Sequence, residues 1–485
     1  MQTAIICIYA VTLAFIFIYS LFQLALALNY RRDKMHEPEP IKLDLEKDEI
    51  PYVTIQLPIF NEYYVVDRLL DNISRMQYPK DRLEIQVLDD STDETVEVVR
   101  KKVEEIRQQG IDIVHVHRTN RSGFKAGALK EGIEIAKGEF FAIFDADFLP
   151  DDDFLINTMA YFKDPKVAVV QTRWGHINKD YSILTKIQAF ALDTHFTIEQ
   201  RGRNSKGYFL NFNGTGGIWR KEAIYDAGNW NADTLTEDLD LSYRAQINGW
   251  KVKYLENIIS NAELPITMSA IKGQQFRWTK GGAQNLVKIS KRVLRSNAPF
   301  MTKINGIYHL FNSSLFVVVF LMSILSVPLF YIKNQTHKYD DLFNLSAIFL
   351  MSFFILLFYF WLAYDKRSQG RKAFPGFLMR FFVFLSYAMA LGFHNTIAVF
   401  EGLLGIQSSF LRTPKFNVNS KKDSWQGNKY AKKKISYITI IEGLLSLYFL
   451  AALVFAFIWG DFSFAYLHVM LFAGYTAIFI LSLRQ

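Results

Sequence analysis

The chain has 485 residues, half of them hydrophobic and 43 of them Phe, and it carries a net charge of +8. This composition is unusual for a purely soluble enzyme, and the apolar residues concentrate near the N-terminus and after about residue 305. The positive charge does not indicate a nucleic-acid partner, because Lys and Arg cluster beside the apolar blocks, as they do at cytoplasmic membrane flanks. The single cysteine, Cys7, excludes a disulfide framework within one chain.

The first apolar block, about residues 3–28, is long enough to cross a bilayer. It is followed at once by Arg31, Arg32 and Lys34. Two alanines near its end also fit a cleavable signal peptide, but no positive charge precedes the block, which favours an uncleaved anchor in residues 1–30. The basic flank places the next domain in the cytoplasm.

Residues 45–300 alternate short β-type runs with helical stretches. The sequence predicts buried strands at 52–57, 84–88, 112–117 and 140–144, and crossover helices at 67–76, 93–108 and 125–136. This alternation predicts an α/β domain with a mainly parallel sheet and helices on both faces. Ligands bind such sheets beyond the carboxyl ends of the strands, and the acidic motifs fall there.

Asp89 and Asp90 follow the second predicted strand. Carboxylates at a strand tip can accept hydrogen bonds from a nucleobase N–H and a ribose hydroxyl. The residues that follow, Ser91–Asp93, are also suited to cap a helix. Alone, this motif does not distinguish the two interpretations.

Asp145 and Asp147 follow the fourth predicted strand. An Asp-x-Asp pair offers hard oxygen ligands to Mg²⁺ or Mn²⁺, and a diphosphate leaving group needs such neutralisation. Lys125 and Arg118 are candidates for holding the phosphates. Taken alone, an Asp pair at a strand end is more often a solvated turn.

Glu237 and Asp238 open a later helical stretch. A hydroxyl that attacks an anomeric carbon needs a base, and Asp238 is the predicted base with Glu237 as the alternative. Acids are also common at helix N-termini for electrostatic reasons. The glycine-rich turn before them, which includes Gly214 and Thr215, would allow close approach of a ligand to the backbone.

The last motif is a Q-x-x-R-W string formed by Gln274, Gln275, Arg277 and Trp278. A guanidinium can pair with a pyrophosphate, and an indole face offers a flat platform for a sugar ring. An isolated aromatic–Arg pair is usually packing, so the string gains meaning only beside the acidic motifs.

Residues 301–485 contain the remaining apolar blocks. Four of them are long enough to span a membrane, at about 305–332, 342–364, 437–459 and 463–483. A fifth, about 374–408, carries charged residues and has basic residues at both ends. It is predicted to lie in the cytoplasmic interface as a helix or bent pair, with a membrane hairpin as the alternative.

In combination, the three acidic motifs and the Q-x-x-R-W string resemble the signature of family 2 processive glycosyltransferases. The chain is most similar to the cellulose synthase and cellulose-synthase-like mannan and glucan synthase group, from Gln56–Glu62 to the last apolar block. The resemblance implies a GT-A nucleotide-sugar domain, a UDP- or GDP-hexose donor, Mg²⁺ or Mn²⁺, and inversion at the anomeric carbon.

The resemblance also implies roles for the motif residues. The nucleotide sugar would contact Asn61, Glu62, Asp89, Asp90, Arg118, Lys125, Asp145, Gln274, Gln275 and Arg277, the metal Asp145 and Asp147, and the acceptor Gly214, Thr215 and Trp278. Asp238, or Glu237, would be the catalytic base. A gating loop of the form Phe-x-Val-Thr-x-Lys would lie within residues 410–434 at Phe416, Val418, Asn419 and Lys421, with Asn419 replacing the Thr.

The leading hypothesis is a multi-pass membrane synthase that lengthens a β-linked polysaccharide on its cytoplasmic side and threads it outward through its spans. The first alternative is transfer of one sugar to a membrane lipid, such as ceramide or a polyprenyl phosphate. A second alternative, a transporter with a nucleotide-binding domain, is disfavoured by the three acidic motifs. The motifs do not specify the donor, the linkage or any accessory subunit.

Overall fold

The structure is a computed structural model of the chain. It describes residues 2–35, 40–336, 343, 346–365, 373–408, 412–420, 422–425, 427–430 and 436–484. Lys421 of the predicted gating loop therefore lies outside the described residues. The first element is a single 33-residue helix, α1 (Gln2–Lys34).

One eight-stranded sheet forms the centre of the domain that follows. Its strands are β1 (Val53–Ile59), β2 (Leu83–Asp89), β3 (Ile113–His117), β4 (Phe140–Ile143), β5 (Leu149–Pro150), β6 (Val167–His176), β7 (Gly217–Arg220) and β8 (Lys251–Ala262). They are arranged in the order β3-β2-β1-β4-β7-β6-β8-β5. The four predicted strands, β1 to β4, are adjacent and parallel.

The sheet is mixed, because β7 runs antiparallel to both of its neighbours, β4 and β6. Strand β8 is parallel to β6, and the two-residue strand β5 closes that edge in the antiparallel direction. The predicted α/β fold is confirmed, and the antiparallel strand is the feature that separates its parallel half from the rest of the sheet.

Nine helices of this part of the described chain pack against the sheet or connect it to the membrane segments. They are α2 (Val66–Ile73), α3 (Thr95–Gln108), α4 (Phe124–Ile135), α5 (Phe154–Met159), α6 (Ile183–Thr194), α7 (Arg201–Asn204), α8 (Lys221–Asp226), α9 (Glu237–Ile247) and α10 (Met268–Arg295). A π-helical turn, His195–Gln200, joins α6 to α7.

Successive side chains of a strand point to opposite faces of the sheet, so the sheet has a hydrophobic core on each face. In β4, Phe140 and Ala142 face the core beneath α2 and α3, whereas Phe141 and Ile143 face the core beneath α4 and α9. Each such buried side chain contributes on the order of 1.5–3 kcal/mol for the larger residues. Burial on both faces explains why this strand is an unbroken apolar run in the sequence.

Beyond α10, the described chain is almost entirely helical. Its helices are α11 (Phe300–Leu310), α12 (Leu315–Gln335), α13 (Leu350–Asp365), α14 (Phe374–Ala390), α15 (Gly392–Leu403), α16 (Tyr437–Trp459) and α17 (Ala465–Leu483). Four stretches of the described chain are long and apolar enough to cross a membrane: α1, the α11–α12 pair, α16 and α17.

Two predicted segments differ from these spans. The predicted span at 342–364 corresponds to α13, whose 16 described residues reach about 24 Å, short of a bilayer core of about 30 Å. The predicted interfacial segment at 374–408 is the α14–α15 pair, in which the two helices are bent by 48° relative to each other. Its depth in the membrane stays a prediction.

Two ion pairs, each with one fully buried partner, connect α10 to the membrane helices. The Lys272 ammonium lies 2.5 Å from the carboxylate of Glu442 in α16, whose side chain is fully buried. The Lys280 ammonium, also fully buried, lies 2.7 Å from the carboxylate of Glu401 in α15. Helix α10 is thus fixed on two sides, and it is the helix that carries the Q-x-x-R-W string.

Candidate active site

One cleft lies beyond the carboxyl ends of β1, β2 and β4 and is closed from the membrane side by α10. Seven carboxyl groups and five cationic groups line it: Glu62, Asp90, Asp145, Asp147, Glu237, Asp238 and Glu263, with Arg121, Lys125, Arg277, Arg412 and Lys415. Residues that are distant in sequence therefore meet in one place. Because acidic groups outnumber cationic groups, the cleft is suited to a ligand that binds together with a cation.

Asp145 follows β4 and faces the cleft. Its carboxylate lies 2.5 Å from the Lys125 ammonium, which also donates to the Gly214 carbonyl at 2.9 Å. The backbone N–H of Asp145 donates to the Thr215 hydroxyl. Thr215, which was predicted to contact the acceptor, does not line the cleft. Its hydrogen bond instead helps to hold the backbone of Asp145 in place. Lys125 thereby connects the end of β4 to the glycine-rich turn.

Asp147 is buried beside Asp145. One of its carboxylate oxygens accepts hydrogen bonds from the Lys415 ammonium at 2.6 Å and from the backbone N–H of Glu263 at 3.2 Å. Within the described part of the chain, the other oxygen of Asp147 and the second oxygen of Asp145 accept no hydrogen bond. Both carboxylates therefore keep a donor atom for a cation.

The donor set fits a hard divalent cation such as Mg²⁺ or Mn²⁺, because carboxylate oxygens are the ligands that these ions prefer. No group of three or more His, Cys, Asp or Glu side chains is preassembled for a metal among the described residues. Asp145 and Asp147 would instead supply two protein ligands and leave the remaining positions to phosphate oxygens and water.

Asp238 is the second residue of α9 and faces the cleft beside Gly214. A β-carbon at Gly214 would lie 3.1 Å from an Asp238 oxygen, and φ is +80° there, so this turn requires glycine. Burial, and then the negative charge of Glu237, raises the pKa of Asp238 to about 7. A carboxyl group with such a pKa can accept a proton near neutral pH.

Helix α10 presents Gln274, Arg277 and Trp278 to the cleft. These positions are spaced i, i+3 and i+4, which share one face of a helix. Gln275 is rotated by about 100° from Gln274 and does not line the cleft. The Trp278 ring lies 6.4 Å from that of Trp174, centroid to centroid, so two indoles form one wall.

Besides Gln275, three residues predicted to bind the nucleotide sugar do not line the cleft. Asp89 is fully buried and accepts hydrogen bonds from His115 and the backbone of Ser91. Arg118 is buried in a bidentate ion pair with Asp90, at 2.7 Å for both bonds. Their observed contacts support the loop that carries Asp90.

Asn61 is the third of these residues. Its backbone N–H donates to the Ser91 hydroxyl, and its side-chain oxygen accepts from the backbone N–H of Thr92. It therefore joins the loops after β1 and β2, with a φ of +54° that Asn tolerates better than most residues.

The described residues between Arg412 and Tyr430, here called the strap, cross the mouth of the cleft. Arg412 pairs with Glu62 at 2.9 Å, and the Thr413 hydroxyl accepts a hydrogen bond from Arg277 at 2.6 Å. Further along, the Tyr430 hydroxyl donates to Asp93 at 2.5 Å. The strap is therefore tied to both ends of the cleft.

The predicted gating residues lie in the strap but not in the cleft lining. Phe416 and Val418 are buried against Ile266, and the Asn419 side chain accepts a hydrogen bond from Arg68 at 2.9 Å. They hold the strap on the domain, whereas the neighbouring Arg412 and Lys415 reach into the cleft.

Sequence reasoning did not identify Arg121, Trp174, Glu263, Arg412 or Lys415 as site residues. Glu263 directly follows β8, so a prediction of that strand would have placed its carboxylate at the sheet edge. The two strap cations carry no local signal, because Lys415 and its partner Asp147 are 268 residues apart.

The fold is similar to that of a solved sugar-transferring protein. The solved structure of the mannosyltransferase PcManGT from Pyrobaculum calidifontis, in complex with GDP-Man and Mn2+, is similar with a TM-score of 0.55 at 19% identity, over 83% of this chain and 100% of that chain. The soluble domain therefore has the GT-A-like glycosyltransferase fold. Residues 51–281 match the family model Glycosyltransferase like family 2. This match agrees with the family that the motifs predicted.

Curated relatives share more of the sequence. Glucomannan 4-beta-mannosyltransferase 1 of Oryza sativa subsp. japonica is 41% identical over 293 residues, 59% of this chain and 56% of the relative. Glucomannan 4-beta-mannosyltransferase 9 of Arabidopsis thaliana is 42% identical over 287 residues, 58% of this chain and 54% of the relative. The chain thus spans little more than half the length of these relatives.

Proposed function

We propose that the protein is an inverting membrane glycosyltransferase that adds mannosyl units from a nucleoside-diphosphate sugar to a growing β-linked polysaccharide. The observation that carries this proposal is the convergence of Asp145, Asp147, Asp238, Arg277 and Trp278 on one cleft beside the membrane helices. The names of the rice and Arabidopsis relatives support a 4-linked β-mannan or glucomannan as the product.

The donor diphosphate is proposed to lie between Lys125 and Arg277, whose positive charges would stabilise the leaving group. Asp145 and Asp147 would hold Mg²⁺ or Mn²⁺, which when bound would neutralise further negative charge on the diphosphate. Both cationic side chains are partly buried, so their electrostatic interaction with a bound anion would be stronger than in water.

Asp238 is proposed to accept the proton of the acceptor hydroxyl as that oxygen attacks the anomeric carbon. Trp278, with Trp174 beside it, would position the acceptor sugar by contact with its apolar face. Attack from the side opposite the leaving diphosphate inverts the anomeric centre, so an α-linked donor yields a β-linked product.

The catalytic domain is proposed to be cytoplasmic, and the product to leave through the adjoining membrane helices. The basic end of α1 supports this side, and Arg201 of the domain pairs with Asp33 of α1 at 2.8 Å.

The test is synthesis by the purified chain in lipid vesicles. GDP-mannose, UDP-glucose and other donors would be supplied separately with Mg²⁺ or Mn²⁺, and the products analysed for length and linkage. We expect long 4-linked β-mannosyl chains from GDP-mannose. Radiolabel that appears only in an organic-phase lipid, as a single sugar, would reject the polysaccharide in favour of lipid glycosylation.

A further inference from the structure

One face of helix α10 is covered by a membrane helix along its first half. There, Lys280 pairs with Glu401 of α15, and a β-carbon at Gly402 of α15 would lie 2.6 Å from the Lys280 carbonyl oxygen. Positions one heptad apart lie close to the same face of a helix, so this face continues through Val287 and Leu294. These two residues are 61% and 59% exposed. The described membrane helices thus leave the same face uncovered along the second half of α10.

The uncovered apolar surface continues onto the start of α11. Phe300 and Met301, the first two residues of α11, are 71% and 58% exposed. On the other side, Leu286 and Ile289 of α10 pack in one core with Leu310 of α11, so the two helices form a hairpin. The stretch from α11 to the end of α12 is a candidate membrane span, and the hairpin lies at one end of it. We call the exposed surface of this hairpin the hairpin face, and its large apolar residues are Val287, Leu294, Phe300 and Met301.

The charges of the hairpin are all positive. Residues 268–310 contain no Asp or Glu. Four cations lie in the part of the hairpin that carries the hairpin face, and none of them forms an ion pair within the described chain: Lys291, Arg292, Arg295 and Lys303. Lys291 and Arg295 each lie within one turn of Leu294, on the same side of α10. Large apolar residues mixed with unpaired cations on one helix surface are typical of segments that lie in the headgroup region of a membrane.

We propose that the hairpin face binds the anionic surface of the bilayer. Its apolar side chains enter the boundary between headgroups and acyl chains. Its cations, whose apolar stems follow the same surface, contact the phosphates of anionic lipids. A bilayer fits better than a protein partner, because a membrane helix already covers the same face of α10 at Lys280 and because α11 leads into a span. This contact fixes the far end of the helix that carries Arg277 and Trp278.

The test measures which lipids lie beside the hairpin face. The full-length chain in a Cys7→Ser background would carry a fluorophore at Leu294→Cys and be reconstituted in phosphatidylcholine nanodiscs. Phosphatidylglycerol or phosphatidylcholine with a nitroxide on the acyl chain near the headgroup would be added at equal mole fractions as a quencher. The positional control is Ile135→Cys, because Ile135 is 58% exposed at the end of α4, away from the cleft edge of the sheet.

We expect strong quenching at Leu294→Cys, more by the phosphatidylglycerol quencher than by phosphatidylcholine, and little quenching at Ile135→Cys. Each cation near an anionic membrane surface adds a several-fold preference. Arg295→Gln/Lys303→Gln should therefore lower the ratio of quenching by the two lipids by about five-fold or more. Lys130→Gln/Lys166→Gln, which removes two exposed lysines of the catalytic domain, should leave the ratio unchanged. Unchanged thermal melting would show that all variants are folded.

Three results would overturn the proposal. Absence of quenching at Leu294→Cys by either lipid would place the hairpin face in water or against a protein. Equal quenching by the two lipids would reduce the contact to its apolar part. An equal fall of the ratio in both charge variants would attribute the preference to the net charge of the chain and not to this surface. No sugar transfer is measured, so these outcomes do not depend on the proposed function.

Discussion

Asp238 occupies a partly buried position next to a second carboxyl group, Glu237. No cation pairs with it in the described chain, and the backbone N–H of Leu239 donates to it at 2.8 Å. If it accepts the proton of the acceptor hydroxyl, Asp238→Asn should lower kcat by about 10²–10⁴-fold and leave donor affinity unchanged. Initial rates with donor binding measured in parallel provide the check.

The matched control for this variant is Asp233→Asn, a change of the same chemistry at an exposed carboxylate a few residues before α9. Asp233 pairs with Lys288 on the surface, and such pairs contribute little. Equal loss in both variants, or full activity in Asp238→Asn, would contradict the assignment of the base and direct attention to Glu237.

The pKa of Asp238 also determines a pH dependence. Burial and the neighbouring Glu237 raise that pKa to about 7, and only the deprotonated form can accept a proton. The value of kcat/KM, which reports groups of the free enzyme, should therefore rise with pH up to about 7 and level off above it. A profile from acidic to mildly alkaline pH would test this, and a flat acid limb would exclude Asp238 as the titrating base.

For single residues, sequence reasoning predicted best the side chains whose direction is set by local chain geometry. Asp145 and Asp147 end a buried strand, and Gln274, Arg277 and Trp278 share a helix face, so a motif predicts where they point. It did not resolve which member of a pair faces the ligand. Strand alternation turns Asp89 into the core and leaves Asp90 at the cleft, a difference of one residue in register.

Helix α10 is held to the membrane helices by two lysines, of which Lys280 is fully buried and Lys272 is 12% exposed. Removing one partner of a buried ion pair leaves an uncompensated charge, at a cost of about 3–5 kcal/mol. Glu401→Gln should therefore destabilise the protein strongly, because it leaves the fully buried Lys280 ammonium without its charged partner. The double variant Lys280→Met/Glu401→Gln should recover most of that loss.

Denaturant unfolding in detergent would measure these changes, with Lys291→Met as the control at an exposed position of the same helix. If the single and double variants are equally unstable, packing around Lys280 and not its charge holds α10 in place.

The strap places Lys415 on a carboxylate that is also a candidate metal ligand. A lysine and a divalent cation would compete for Asp147, and a charged hydrogen bond contributes about 1.5–3 kcal/mol. Lys415→Met should therefore tighten Mn²⁺ binding by about ten-fold. Titration followed by the electron paramagnetic resonance of free Mn²⁺ would detect the change.

Lys422→Met alters an exposed lysine of the same strap and should leave Mn²⁺ affinity unaltered. Weaker Mn²⁺ binding in Lys415→Met would contradict competition and would indicate that the strap helps to form the cation site.

Strands and helices were predicted best where a local sequence pattern defines them. The four parallel strands lie within two residues of their predicted bounds, because each is a buried apolar run followed by turn residues. Strand β7, at four residues, emerges from a glycine-rich turn and pairs with segments distant in sequence, so no local period reveals it.

For the whole molecule, two ion pairs show which helix ends lie close together. Lys333, near the end of α12, pairs with Asp461 in the turn between α16 and α17, at 2.8 Å. At the other end of the bundle, Lys272 joins α10 to the second turn of α16. The catalytic cleft and the turn at Asp461 therefore lie at opposite ends of the membrane helices.

This arrangement predicts the sidedness of the chain. If the basic end of α1 is cytoplasmic, then the exposed Asp233 near the cleft is cytoplasmic and the exposed Phe462, next to Asp461, is on the opposite face. The single native cysteine allows a direct test. In a Cys7→Ser background, a membrane-impermeant thiol reagent should label Phe462→Cys in intact cells and Asp233→Cys only after permeabilisation. Labelling of both cysteines from the same side would contradict a membrane crossing by α16. It would also contradict the proposal that the donor enters on one side of the membrane and the product is released on the other.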